Sequence, residues 1–146
     1  MQRRSANPIL KSQFEKNEKL ERGESMTFGQ SISVCFSKYA NFEGRASRSE
    51  YWWFYLFCAL FETGGAILGA RVGGAGGFIL LCGIAVLIIT VPYLAVGARR
   101  LHDIGKSGWN LLWTLTVIGT IPLVVWLCTE GTKASNEYGD PIDLSI

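Results

Sequence analysis

Residues 51–98 read YWWFYLFCALFETGGAILGARVGGAGGFILLCGIAVLIITVPYLAVGA, and the only charges among them are Glu62 and Arg71. A soluble core of this length would interleave charged positions at helical or strand spacing, so an uncharged run this long points to lipid. The glycine-rich stretch Arg71-Val72-Gly73-Gly74-Ala75-Gly76-Gly77 divides it and suits a tight turn between antiparallel spans. A third stretch, 109–128, carries no charge at all. The reading is an all-α membrane protein with three transmembrane helices at about 48–70, 78–98 and 109–128. At ~1.5 Å per residue the first is on the order of 34 Å long, enough to cross a hydrocarbon core of ~30 Å with some tilt.

Local signals set the ends. Ser47 and Glu50 have capping-box spacing, which starts the first helix near Arg48 and predicts that the Glu50 carboxylate reaches back to the Ser47 amide. Tyr51, Trp52 and Trp53 then fall at headgroup level. Pro92 is expected to kink the second span, and Gly105 to close it as a C-cap. Ser107 can N-cap the third, which holds Pro122 internally and Trp109 and Trp126 near its ends.

Ahead of the spans, residues 1–25 mix both charge signs with few apolar positions and read as a disordered polar tail without the apolar stretch of a signal peptide. Met26 opens a segment that looks like a natural start. Phe28, Ile32, Cys35, Phe36 and Tyr39 recur at helical spacing, which predicts a short N-terminal amphipathic helix, either on the membrane surface or packed against the rest of the protein. Residues 26–141 form a single membrane domain, followed by a C-terminal tail at 142–146.

Of the 146 residues, 49% are hydrophobic and 18% charged, below the roughly 25% charge of soluble domains. The net charge of +2 is too small, and too tied to span ends, for nucleic-acid binding. Cys35, Cys58, Cys82 and Cys128 form no CxxC pair and read as small buried hydrophobes. No metal site and no cofactor is expected. Lys38, Arg45 and Arg48 precede the first span, and Arg99, Arg100 and Lys106 follow the second, whereas the intervening loop has only Arg71. Basic loops stay cytoplasmic. The N-terminus and the 99–108 loop are therefore expected inside, with the tail periplasmic, unless Pro122 makes the third segment re-entrant and returns the tail to the cytoplasm.

Two groups of polar residues could carry function. Arg45, Arg48, Glu50, Arg99, Arg100, His102, Asp103 and Lys106 converge on the cytoplasmic interface if the first two spans pack together. They are either a structural brace or an anionic site for lipid headgroups or another phosphate-bearing ligand. Arg99 and Asp103, four apart, can pair across a turn. Adjacent His102 and Asp103 point in different directions on a helix, and no nucleophile motif accompanies them, so catalysis is disfavoured. Glu62, near the middle of the first span, is either a relay for protons or cations or a neutral carboxyl bonded to Thr90, Tyr93 or Thr116. Gly65, Gly69 and Gly73 are spaced for close helix approach within the bundle or between subunits.

Three blocks carry a family likeness. Phe42-Glu43-Gly44-Arg45-Ala46-Ser47-Arg48-Ser49-Glu50-Tyr51-Trp52-Trp53, then Arg99-Arg100-Leu101-His102-Asp103-Ile104-Gly105-Lys106-Ser107-Gly108-Trp109, then Glu130-Gly131-Thr132 with Asn136-Glu137-Tyr138-Gly139-Asp140-Pro141 resemble the ordered motifs of domain-of-unknown-function family 805. The resemblance spans about Met26 to Pro141. It implies a small multi-pass protein of the bacterial inner membrane without an established biochemical activity. A non-enzymatic protein that binds membrane lipids, other membrane proteins or itself is the preferred reading. A subunit of a small oligomeric transporter or channel is the alternative, and a lipid-acting enzyme using His102 and Asp103 is the third possibility weighed.

Overall fold

The computed structural model describes residues 25–142. The disordered tail expected for 1–25 lies, apart from Ser25, outside the described residues, as does most of the 142–146 tail. Among the described residues three α-helices and one 3-10 segment follow in order: α1 (Phe28–Ser37), α2 (Arg48–Asp103), the 3-10 segment Gly108–Leu115, and α3 (Val117–Cys128). All belong to one unit, Thr27–Ile142.

The long element α2 is two helices joined at Gly74, whose φ of 57° and ψ of −141° are not helical. A side chain strongly disfavours that conformation, so glycine is what allows the turn here. The arms fold back on each other. The Tyr51 and Tyr93 hydroxyls meet at 3.1 Å. Nearer the turn, a Cβ added to Gly69 would lie 2.6 Å from the Gly77 carbonyl oxygen, so the two backbones touch where neither has a side chain. At ~1.5 Å per residue each arm is on the order of 40 Å long. Their outer faces are apolar and bare: Val72 is 80% exposed, Leu87 76% and Ile79 69%. A contiguous apolar surface of this extent belongs in lipid.

Helix termini match the local chemistry with one exception. Ser47 caps α2 by accepting from the Glu50 amide at 3.1 Å. The returning half of the expected capping box is not made, because the Glu50 carboxylate turns inward to Arg99. At the far end, Gly105 adopts φ +71°, its amide donates to the His102 carbonyl, and the Lys106 amide donates to Leu101. These paired bonds are a Schellman motif. The backbone stays helical through Pro92, with the break at Gly74 instead. Proline removes one donor, which leaves the carbonyl four residues earlier without its helical partner. That carbonyl belongs to Ile88, and the Tyr39 hydroxyl donates to it at 2.8 Å.

Residues 28–37 form α1, opened by a Thr27–Gln30 capping box. It lies on the start of α2, burying Ser31 and Cys35 and setting Phe36 edge-on against Phe54 and Phe57. With α3 it closes a core of Phe54, Cys58, Ile89, Val96, Leu101, Leu123 and Leu127.

The continuous third helix expected over 109–128 is replaced by two shorter pieces. The 3-10 segment, capped by Ser107, runs outward, Thr116 is extended, and the 12-residue α3 comes back beside it, Trp113 packing on Trp126 at 5.5 Å. The turn is apolar and open, with Leu115 81% and Val117 89% exposed. Because the chain doubles back, residues after Cys128 return to the end of α2 they left: the Thr132 amide donates to the Asp103 carbonyl at 3.0 Å, and the Asn136 side chain to that of His102 at 2.9 Å. The tail thus packs on the same end of α2 as residues 99–108, the arrangement expected if the third segment is re-entrant.

Candidate functional site

Five members of the expected polar cluster are buried together at the shared end of the α2 arms. Asp103 sits at its centre. Its carboxylate accepts from Arg45 Nε at 2.8 Å and from Arg100. Arg45, 3% exposed at its side chain, also donates to the carbonyls of Thr132, Ala134 at 2.9 Å and Gly139 at 3.4 Å. Arg100, fully buried, donates through Nε to the Leu127 carbonyl at 3.2 Å and through Nη2 to Thr129. Two guanidiniums against one carboxylate leave an excess positive charge. The tail supplies what offsets it, a ring of carbonyl dipoles from 127 to 139. Burial pulls the Arg100 guanidinium below its usual pKa, and the adjacent Asp103 carboxylate opposes that pull.

The second pair is Glu50 with Arg99, at 2.6 Å and almost wholly buried. The helical pair expected between Arg99 and Asp103 is not formed, because each has a nearer partner on another segment. Arg99 keeps two nitrogens, Nε and Nη2, buried without a hydrogen-bond partner among the described residues. Cys35 of α1 covers the pair, its thiol 3.9 Å from the Glu50 carboxylate. Burial, reinforced by the Glu50 charge and partly offset by Arg99, pushes that thiol up to about 12, so it stays protonated and unreactive.

The other expected members are arranged differently. Arg48 is exposed, with one long contact of 3.4 Å to the Cys128 carbonyl. Lys106 leaves the cluster and lies 4.4 Å over the Trp126 ring. His102 stacks on Tyr138 at 3.9 Å, with the rings 3° from parallel. Its Nδ1 is 3.1 Å from the Gly44 carbonyl, which only accepts, so Nδ1 carries the proton in the neutral ring. Burial lowers the His102 pKa, and the Gly44 carbonyl partly counters it. Next to this stack is a cavity of about 560 Å³, lined mainly by apolar side chains including Phe42, Leu94, Trp109, Leu111 and Leu112, with His102 and Tyr138 at its edge.

Glu62 is far from these groups, midway along the first arm. Its carboxyl opens on a smaller cavity of about 280 Å³ between the arms, shared with Tyr55, Cys58, Thr90 and Tyr93. Two of its three expected hydroxyl neighbours, Thr90 and Tyr93, are therefore at hand, but neither bonds to it: Thr90 donates to the Val86 carbonyl at 2.5 Å, and Tyr93 meets Tyr51. Thr116 is elsewhere, capping Gly119.

Residues missed from sequence are Thr132, Gly131, Asn136 and Tyr138 of the tail. A Cβ at Gly131 would fall inside the Asp103 carboxylate, so only glycine lets this strand of chain close on it. All four lie in the third motif block, but nothing local in the sequence indicates that they face Asp103 and His102.

This is a helical membrane protein, with one long apolar hairpin whose polar end is locked by internal ion pairs. The chain belongs to the family described as protein of unknown function (DUF805), whose model matches residues 39–140. Among curated proteins it is similar to the inner membrane protein YhaI of Escherichia coli (strain K12), 42% identical over 104 residues, which is 70% of this chain and 86% of that one. It is also similar to the inner membrane protein YhaH of the same organism, 38% identical over 107 residues, covering 70% of this chain and 88% of the relative. These likenesses support an inner-membrane location. No solved structure matches.

Proposed function

We propose that the protein is a non-enzymatic lipid-binding protein of the inner membrane. In this reading the α2 hairpin crosses the bilayer twice and residues 108–128 enter it and return. The basic residues Arg45, Arg48, Arg99 and Arg100 at the polar end favour the cytoplasmic face by the positive-inside rule. The N-terminal segment and the tail are then both cytoplasmic, and α1 lies in the headgroup layer.

The observation that carries lipid binding is the 560 Å³ apolar cavity at that end of the hairpin. An acyl chain fits its lining, and the neutral His102 ring at the edge offers an acceptor nitrogen to a hydroxyl or amine of the headgroup region. The buried arginines support this role indirectly. Apart from Nε and Nη2 of Arg99, their donors are turned to Asp103, Glu50 and the carbonyls of residues 127–139, so they brace the walls of the cavity.

Reconstitution with a photoactivatable phosphatidylethanolamine carrying its diazirine on the acyl chain is the test. Adducts are expected on Trp109 or Leu112, and Leu112→Trp, which fills the cavity, should reduce them severalfold. Adducts spread evenly over the outer faces of α2 would refute the site. A fluorescent protein fused after residue 142 should mature and fluoresce in cells; a dark fusion that instead activates a periplasmic reporter would refute the placement of the tail.

The transporter-subunit alternative draws its support from a different place, the unpaired Glu62 between the arms.

A further inference from the structure

From the groove around Glu62 we infer that this protein binds a hydrophobic organic cation, such as a quaternary ammonium, between the two arms of α2. The inference rests on the α2 hairpin lying in the bilayer and is independent of lipid in the cavity beside His102.

Four observations meet at this groove. Glu62 is the only carboxyl between Glu50 and Asp103, and it sits about halfway from Arg48 to the turn at Gly74. It has no hydrogen-bond or ion-pair partner among the described residues, and its side chain is exposed into the groove. Tyr55 and Tyr93 flank it with rings 6.3 Å apart and tilted by 42°. The remaining wall is apolar or weakly polar, from Cys58, Ile89 and Thr90.

A carboxylate alone among acyl chains is unfavourable, so a group that neutralises it has a strong driving force to bind there. A proton satisfies the charge but leaves the groove empty. A hard metal ion needs about six oxygen ligands. The groove presents one carboxyl and a few hydroxyls, one of which, on Thr90, is already donating to Val86. An alkylated cation has the opposite needs. Its charge is diffuse and poorly hydrated, its body is apolar, and aromatic faces stabilise it. The cavity of about 280 Å³ has room for a cation the size of benzyltriethylammonium. Such a ligand could reach the groove from within the bilayer, since Tyr55 on its wall is 45% exposed.

The test uses the full chain purified in an uncharged detergent and radiolabelled benzyltriethylammonium, with the detergent-only signal subtracted. Saturable binding is expected. Glu62→Gln, which keeps shape and removes charge, should weaken it by about tenfold or more. Tyr55→Leu should weaken it severalfold while Tyr55→Phe, which keeps the ring, stays within about twofold. Circular dichroism establishes that each variant is folded. The uncharged all-carbon analogue of the ligand should fail to compete. Binding unchanged in Glu62→Gln, equal competition by the uncharged analogue, or no saturable binding at all would overturn the assignment. Loss of cation binding with lipid adducts at Leu112 intact separates this site from the lipid cavity.

Discussion

Asp103→Asn tests the brace most directly. The substitution keeps the shape of the side chain and removes its charge. In the native protein that carboxylate is the shared acceptor of Arg45 and Arg100, both buried, while the Asp103 backbone carbonyl holds Thr132. Asparagine leaves two buried guanidiniums with no anion between them, and its amide directs donors at one of them. Removing one partner of a buried ion pair costs about 3–5 kcal/mol, and a shared acceptor belongs in the upper half of that range. The Ala134 carbonyl on Arg45 and the Leu127 carbonyl on Arg100 are retained, which prevents complete collapse. For a chain of this size the loss corresponds to roughly 10–15 °C in Tm, followed by circular dichroism in detergent. Limited proteolysis should show the order of events, with cleavage between 129 and 140 appearing before any cut in α2. Arg48→Ala is the control, since Arg48 is exposed and makes one long contact; it should lie within about 0.5 kcal/mol of the native protein. An Asp103→Asn variant within 2 °C of the native Tm, with a protected tail, would refute the claim that this network joins the tail to the hairpin.

Three further outcomes follow from the geometry. Gly69→Ala sets a methyl 2.6 Å from the Gly77 carbonyl and 2.8 Å from the Phe78 Cα, both backbone atoms. It should therefore destabilise the hairpin by about 1–3 kcal/mol, whereas Gly65→Ala, which meets nothing within 4 Å on a helical backbone, should stabilise it by up to about 1 kcal/mol in the same melt. Tyr39→Phe removes the donor to the Ile88 carbonyl and should cost about 1–3 kcal/mol, with faster amide exchange near Pro92 as its local mark. His102 is held below its ordinary pKa of 6.5 chiefly by burial, so the unfolded chain binds its proton more readily than the folded one. The stabilisation from the neutral ring is complete above about pH 6.5 and fades as pH falls through the lower folded value. Protease protection of the tail should thus decrease from about pH 7.5 to 5, and His102→Gln should flatten that dependence.

What could be read from sequence was whatever depends on neighbours in the chain. The two arms of α2 and their glycine turn follow from an uncharged run and its punctuation, and Ser47, Gly105 and Ser107 cap where their local chemistry says they should. Five of the eight expected polar residues come together because helix ends place them side by side. Their pairing could not be read, because spacing within one helix favoured Arg99 with Asp103, whereas Arg45, 58 residues away, wins that carboxylate. The third segment went astray for a similar reason. Residues 109–128 have the length and apolarity of a span, and nothing local says that Thr116 is extended. Pro122 does not break the chain; the reversal comes before it. Glu62 was conspicuous as a charge in an apolar run, but the two tyrosine rings beside it depend on the register of the arms, which only the fold sets.

The tail carbonyls on Arg45 have an implication for biosynthesis. Arg45 emerges from the ribosome 87 residues before Thr132 and 94 before Gly139, the carbonyls that complete its coordination. Until those residues are made, the polar end of the hairpin holds guanidiniums whose carbonyl partners do not yet exist. A chain cut short before Thr132 would present an open, cationic end, with the Arg45 guanidinium missing its partners at Thr132, Ala134 and Gly139.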